Sequence, residues 1–222
     1  MKKIPILLSM LLVTACCYSQ RTTPQMPNAN QKPERTKLGL KAGYIWSYAT
    51  ANESGLTLNG KNGYMFGAFL ALPVHSGRGF RTEIVYSHQG YTFDNGGQNT
   101  AVENDYIYLP QMATFNIGKF FQFQFGGQVG ILVKAAKEVS GKDSSMMDFM
   151  NKIDYGFAAG IELNPAAGFI IGGRYNLGLG KMYKKFDQSS GSPQPNYFPL
   201  PFDPTTTNLK NGVIQIFIGY KF

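Results

Sequence analysis

Val213-Ile-Gln-Ile-Phe-Ile-Gly-Tyr-Lys-Phe222 sets large apolar side chains in alternation with small or polar ones. Successive strand side chains point to opposite faces, so Ile214, Ile216, Ile218, Tyr220 and Phe222 share one face while Gln215, Gly219 and Lys221 share the other. Five large apolar groups in one row call for lipid on that side, and the stretch reads as a membrane-crossing strand.

The pattern recurs seven times upstream. Lys37 to Tyr48 places Leu38, Leu40, Ala42, Tyr44 and Trp46 outward, and Gly63 to Leu72 places Tyr64, Phe66, Ala68, Leu70 and Leu72 outward. Phe80 to Gly90 sets Phe80, Thr82, Ile84 and Tyr86 against Arg81, Glu83, Ser87 and Gln89. In the fourth segment, Asp105 to Ile117, the favoured register turns Ile107, Leu109, Ala113 and Phe115 outward. The competing one turns out Tyr106, Tyr108 and Met112, and a slip of one residue exchanges the faces. The fifth sets Phe121, Phe123, Phe125, Val129, Ile131 and Val133 against Gln122, Gln124, Gly126, Gln128 and Gly130. Glutamines facing lipid would be expensive, so they face inward. Ile153 to Leu163 and Phe169 to Leu179 complete the set, each segment near the roughly 9 to 11 residues that cross a bilayer at a tilt.

Connection lengths carry independent information. Long ones near Ala49 to Asn62, Tyr91 to Asn104, Ala135 to Lys152 and Lys181 to Asn211 alternate with short ones near Pro73 to Gly79, Ile117 to Lys119 and Asn164 to Gly168. Outer-membrane barrels make long loops outside and tight turns on the periplasmic side. The expectation is therefore an all-β fold, an eight-stranded antiparallel up-and-down transmembrane β-barrel over residues 37–222, in the outer membrane of a Gram-negative bacterium with both termini periplasmic.

The beginning of the chain agrees. Lys2 and Lys3 precede an apolar run from Ile4 to Ala15 followed by small residues, the order of a secretory signal peptide. Cleavage after Ser19 would remove residues 1–19; Val13-Thr-Ala-Cys16 also resembles a lipobox, in which Cys16 would carry lipid. Both cysteines lie in this leader, so cleavage after Ser19 leaves no disulfide or cysteine-based metal site. Residues 20–36, rich in Pro, Asn, Gln and Thr, read as a flexible periplasmic segment. Loss of Lys2 and Lys3 takes the formal charge from +8 to +6. No stripe gathers the basic residues, which argues against nucleic acid as a partner. Apart from the leader no long apolar stretch occurs, and the mean hydropathy of -0.18 excludes a helical membrane protein but not a barrel.

Eight strands enclose a space that inward side chains nearly fill. Lys41, Glu83, Gln124, Arg174 and Gln215 lie at similar counted distances from the short turns, so they are expected to form a mid-lumen layer of paired charges and amides. Inward Gly43, Gly67, Gly126, Gly160 and Gly178 are expected to leave room for those side chains. Trp46 and Tyr48 at one rim, with Phe80, Phe121, Tyr220 and Phe222 at the other, fit interfacial aromatic belts. Tyr220 and Phe222 also resemble the C-terminal sorting signal read by the barrel-assembly machinery, a partner during biogenesis.

No catalytic constellation emerges. Of the two histidines, His75 falls in a short turn, and His88 points away from Ser87 because adjacent strand residues face apart. A lipid-modifying enzyme would need His88 beside a serine and an acid from neighbouring strands. Gly178-Leu-Gly-Lys181 resembles a phosphate loop but lacks the Walker spacing, and Asp143, Asp148 and Asp154 lack calcium-ligand spacing. No cofactor or metal is expected.

Four stretches, Glu83-Ile-Val-Tyr-Ser-His-Gln-Gly90, Tyr106-Ile-Tyr-Leu-Pro110, Arg174-Tyr-Asn-Leu-Gly-Leu179 and Gly219-Tyr-Lys-Phe222, resemble the PorT-like "porin family" of Bacteroidetes-type outer-membrane barrels. Tyr108 stands where that family's pattern has glutamate, so no role of that acid carries over. The resemblance implies an outer-membrane barrel, and the family includes a component needed for protein secretion. The expected function is a non-enzymatic envelope scaffold or secretion-complex subunit, working through its loops and embedded in outer-membrane lipid. A passive adhesive barrel or a hydrophobic-ligand transporter, the latter requiring broken strand pairing, are the alternatives. Tyr197, Phe198, Leu200 and Phe202, set among prolines in the last long loop, are the candidate partner contact.

Overall fold

The computed structural model describes residues 35–51, 58–74, 76–95, 98–139, 142–166, 168–184 and 207–222. Its strands are β1 (Lys37–Thr50), β2 (Leu58–Ala71), β3 (Arg78–Asn95), β4 (Gln98–Ile117), β5 (Phe121–Val139), β6 (Lys142–Ser145), β7 (Ile153–Leu163), β8 (Phe169–Gly178) and β9 (Lys210–Lys221). They pair in the order β4-β3-β2-β1-β9-β8-β7-β5, and a β4–β5 pairing closes the ring. Eight antiparallel strands thus make a barrel, to which the short β6 adds as an extension of β5. The chain's first and last barrel strands meet over twelve register pairs, from Gly39–Lys221 to Thr50–Lys210.

Alternation places the faces as the sequence pattern implies. Ile216 and Ile218 are 62% and 65% exposed, while Phe217 between them is 1% exposed. In β4 the favoured register holds: Tyr106, Tyr108 and Met112 are buried and Phe115 is exposed. The membrane side solvates the one row, and the bore packs the other.

The long connections differ from expectation. Tyr91 to Asn104 is mostly the β3–β4 hairpin, and Ala135 to Lys152 contains the end of β5 together with β6. Alternation persists there with its solvents exchanged. Tyr91, Phe93 and Val102 now point inward, where they join Leu132, Met146, Met150 and Tyr183 in one buried cluster. Inside is the greasy side once the wall rises into water, so a search for lipid-facing rows misses these residues.

Two local irregularities have chemical causes. Pairing between β2 and β3 shifts between Gly60 and Tyr64, and Ser47 Oγ bridges the gap: it donates to Gly90 O at 2.8 Å and accepts from Gly90 N at 2.8 Å. Pairing between β3 and β4 skips Glu83–Pro110 and Ile84–Leu109, since Pro110 has no N–H to offer the ladder.

The inward glycines serve a different end from the one expected. A Cβ at Gly43, Gly67 or Gly126 would meet the backbone carbonyl of Ile216, Ile84 or Gln111 at 2.2, 2.3 and 1.9 Å. These glycines let neighbouring backbones approach in a tightly coiled wall rather than clear space for long side chains. Gly39 and Gly172 instead seat the rings of Phe69 and Phe217, which a Cβ would meet at 2.2 and 2.3 Å.

Candidate functional site

Above the short turns, the bore is crossed by an ion network. Glu83 of β3 accepts Arg174 Nη1 and Nη2 at 2.7 and 2.8 Å, and Lys41 Nζ at 2.6 Å. Arg174 Nη2 also donates to Gln124 Oε1 at 2.5 Å, and Gln124 Nε2 donates to Glu162 Oε2 at 2.8 Å. Arg81 holds Glu162 through both terminal nitrogens, at 2.6 and 3.0 Å, and donates to Gln122 at 3.0 Å. Lys221 Nζ reaches Glu162 Oε1 at 2.6 Å and Asn164 Oδ1 at 2.6 Å. The ring of Phe69 faces Arg81 and that of Phe217 faces Lys41, at 4.3 and 4.7 Å.

The structure therefore brings Lys41, Glu83, Gln124 and Arg174 together. Gln215 lies in the bore opposite Arg174 in the β8–β9 register, but its buried Oε1 has no hydrogen-bond partner. The network also contains Arg81, Glu162, Gln122 and Lys221, which the counted layer omitted. Four cations share two carboxylates, and the buried Nε atoms of Arg81 and Arg174 are unpartnered.

A layer of hydroxyls, amides and one carboxylate follows toward the long-connection end. Tyr108 OH donates to Asp154 Oδ2 at 2.9 Å, Asn211 Nδ2 donates to Gln89 Oε1 at 2.6 Å, and Gln89 Nε2 donates to Ser87 Oγ at 2.9 Å. The position where the resembled family carries glutamate is thus a tyrosine that engages a carboxylate on β7. Beyond it the apolar cluster fills the bore, with Tyr91 and Tyr183 hydrogen-bonded through their hydroxyls. Burial pushes the Tyr183 phenol above its ordinary range.

On the lipid side, His88 stacks on Tyr64 with ring centroids 5.1 Å apart, and its Nδ1 lies 2.5 Å from Asp105 Oδ1. The acid that a lipid-modifying enzyme would need is therefore present. Ser87, however, is fully buried on the opposite face. Next to this pair, above the apolar band, Lys61 Nζ is 2.5 Å from Glu103 Oε1 and holds that carboxyl below the usual carboxylate range.

The aromatic rims are exposed as a membrane requires. Trp46 is 47% exposed, and Tyr48 beside it shares a 2.7 Å hydrogen bond between hydroxyls with Tyr175. At the other rim Tyr220 meets Phe222 edge to face, and Phe121 is exposed. The expected signal peptide, the lipobox, His75 and the contact loop with Tyr197, Phe198, Leu200 and Phe202 lie outside the described residues.

A closed eight-stranded ring with an apolar outer wall and a filled bore defines a small outer-membrane β-barrel. The chain belongs to the outer membrane protein beta-barrel domain family, whose profile matches residues 19–184. Its fold is similar to that of Neisserial surface protein A, with a TM-score of 0.53 at 15% identity over 83% of this chain and 97% of that one. It is also similar to Ail, the attachment invasion locus protein of Yersinia pestis, with a TM-score of 0.50 at 17% identity over 85% and 99%. No curated protein sequence matches the chain.

Proposed function

We propose that this barrel is a non-enzymatic scaffold of the PorT-like kind, with its short turns and both termini in the periplasm, its long connections outside, and a protein of an envelope or secretion complex as its partner. One observation carries the reading. Strands β3, β4 and β5 have 18, 20 and 19 residues, roughly twice what a bilayer crossing needs. The surplus stands above the membrane as a sheet, stiffened from within by Tyr91, Phe93, Val102, Met146 and Met150. A plugged bore offers no passage, whereas a rigid projecting sheet offers a pre-organised contact surface. Replacing Thr92 to Ala101 with a tight turn should leave a heat-modifiable barrel in native membranes but abolish recovery of a cross-linked protein partner. An unchanged cross-link pattern rejects the reading.

A hydrophobic-ligand transporter is the second reading, favoured by the pairing gap at Pro110. Beside it on the lipid-facing wall runs an apolar groove of about 900 Å³, lined by Leu40, Ala42, Phe66, Ala68, Ile84 and Tyr86. Uptake of an alkyl-chain dye into proteoliposomes, lost in Pro110→Ala, would select it over the scaffold.

A further inference from the structure

Charge is sorted along this barrel. Toward the long connections both signs mix, with Lys61, Lys134, Lys137, Lys152, Lys181, Lys184 and Lys210 among Glu103, Asp105, Glu138, Asp148 and Asp154. At the short-turn end the described cationic side chains are Arg35, Lys37, Lys41, Arg78, Arg81, Lys119, Arg174 and Lys221, against Glu83 and Glu162 alone. A surplus of six positive charges thus gathers at that mouth, against two among the residues named at the other end.

These cations divide by direction. Lys37 shares the bore-facing parity of Gly39 and Lys41, and Lys221 that of Phe217, whereas Arg78 shares the lipid-facing parity of Phe80. Arg78 and the turn residue Lys119 stand where lipid headgroups pass. Lys37 lines the opening itself, with Arg35 just before β1, and Lys221 sits deeper, paired with Glu162. Behind them lies the network in which two carboxylates serve four cations and two buried guanidinium Nε atoms go without a partner. Positive charge that is only half neutralised in a low-dielectric bore focuses an attractive field at the mouth. The leader cannot supply the missing sign, since residues 20–34 carry Arg21, Lys32 and one acid, Glu34.

We infer that the short-turn mouth is an electrostatic socket for an acidic peptide segment of another protein, with Arg35 and Lys37 as its rim and the half-compensated network behind them. On the orientation proposed above, that protein is periplasmic; the socket itself does not depend on which side it faces.

The test uses the full chain in nanodiscs of zwitterionic phosphatidylcholine and a fluorescent oligoglutamate peptide read by anisotropy. Binding is expected at about 0.1 M salt and lost near 1 M, where the screening length shrinks to a few ångströms. Arg35→Gln with Lys37→Gln should weaken it by about fivefold or more. Arg78→Gln with Lys119→Gln should change it less than about twofold, and heat-modifiability on gels confirms that both variants fold. No binding, equal losses in the two variants, or equally strong displacement by inorganic phosphate at matched charge would overturn the socket. Labelling of a cysteine at position 119 on intact cells separately checks the orientation, so the two claims fail independently.

Discussion

Arg174 and Glu83 face each other across the bore in a two-pronged pair at 2.7 and 2.8 Å, both side chains nearly inaccessible to solvent. The carboxylate also holds Lys41, so it is the anion on which two buried cations depend. Glu83→Ala leaves both uncompensated and should destabilise the barrel by about 3–5 kcal/mol. The triple change Lys41→Met, Glu83→Met, Arg174→Met removes the demand together with the supply and should regain most of that loss. Urea unfolding in bicelles, followed by Trp46 fluorescence, measures both.

The same network closes the bore. Purified protein in planar bilayers should show no stable conductance steps; long-lived openings of porin size would mean that the ion layer does not seal.

Glycine positions separate two kinds of wall. Gly172→Ala drives a methyl into the Phe217 ring, where the contact would be 2.3 Å, and should cost about 1–3 kcal/mol as an overpacked site. Gly127, on the lipid side, would place its Cβ 3.9 Å from the nearest atom, Gly156 O. Gly127→Ala should be neutral or stabilise by up to about 1 kcal/mol through reduced freedom of the unfolded chain. The order of the two unfolding midpoints checks the argument.

Phe222 is 67% exposed at the rim and contributes little packing. Phe222→Ala should therefore refold in detergent micelles as readily as the parent yet reach the membrane poorly in cells. Equal yields in both settings would remove its role as a recognition signal.

The wall was readable from sequence because lipid imposes a rule on every second residue, as in Phe121, Phe123 and Phe125. The bore was readable only in part. Arg81 shows in the alternation as an inward residue, but levels counted from the turns ignore strand stagger, which in a tilted barrel moves residues of equal count to different heights. That stagger joins Arg81 to Glu162 across 81 residues and leaves Gln215 Oε1 unpartnered. Lys221 shows in the alternation as an inward residue of the terminal strand, but spacing alone does not tell that it reaches Glu162. Above the bilayer the rule reverses, and Tyr91, Phe93 and Met146 passed for loop.

The seam between β1 and β9 joins the earliest barrel strand synthesised to the final one, and Phe222 N still donates to Leu38 O at 2.8 Å. No cylinder can therefore be sealed before β9 has been made. Until then any partly built sheet keeps two margins whose backbone groups nothing satisfies, the kind of edge that invites pairing with another chain.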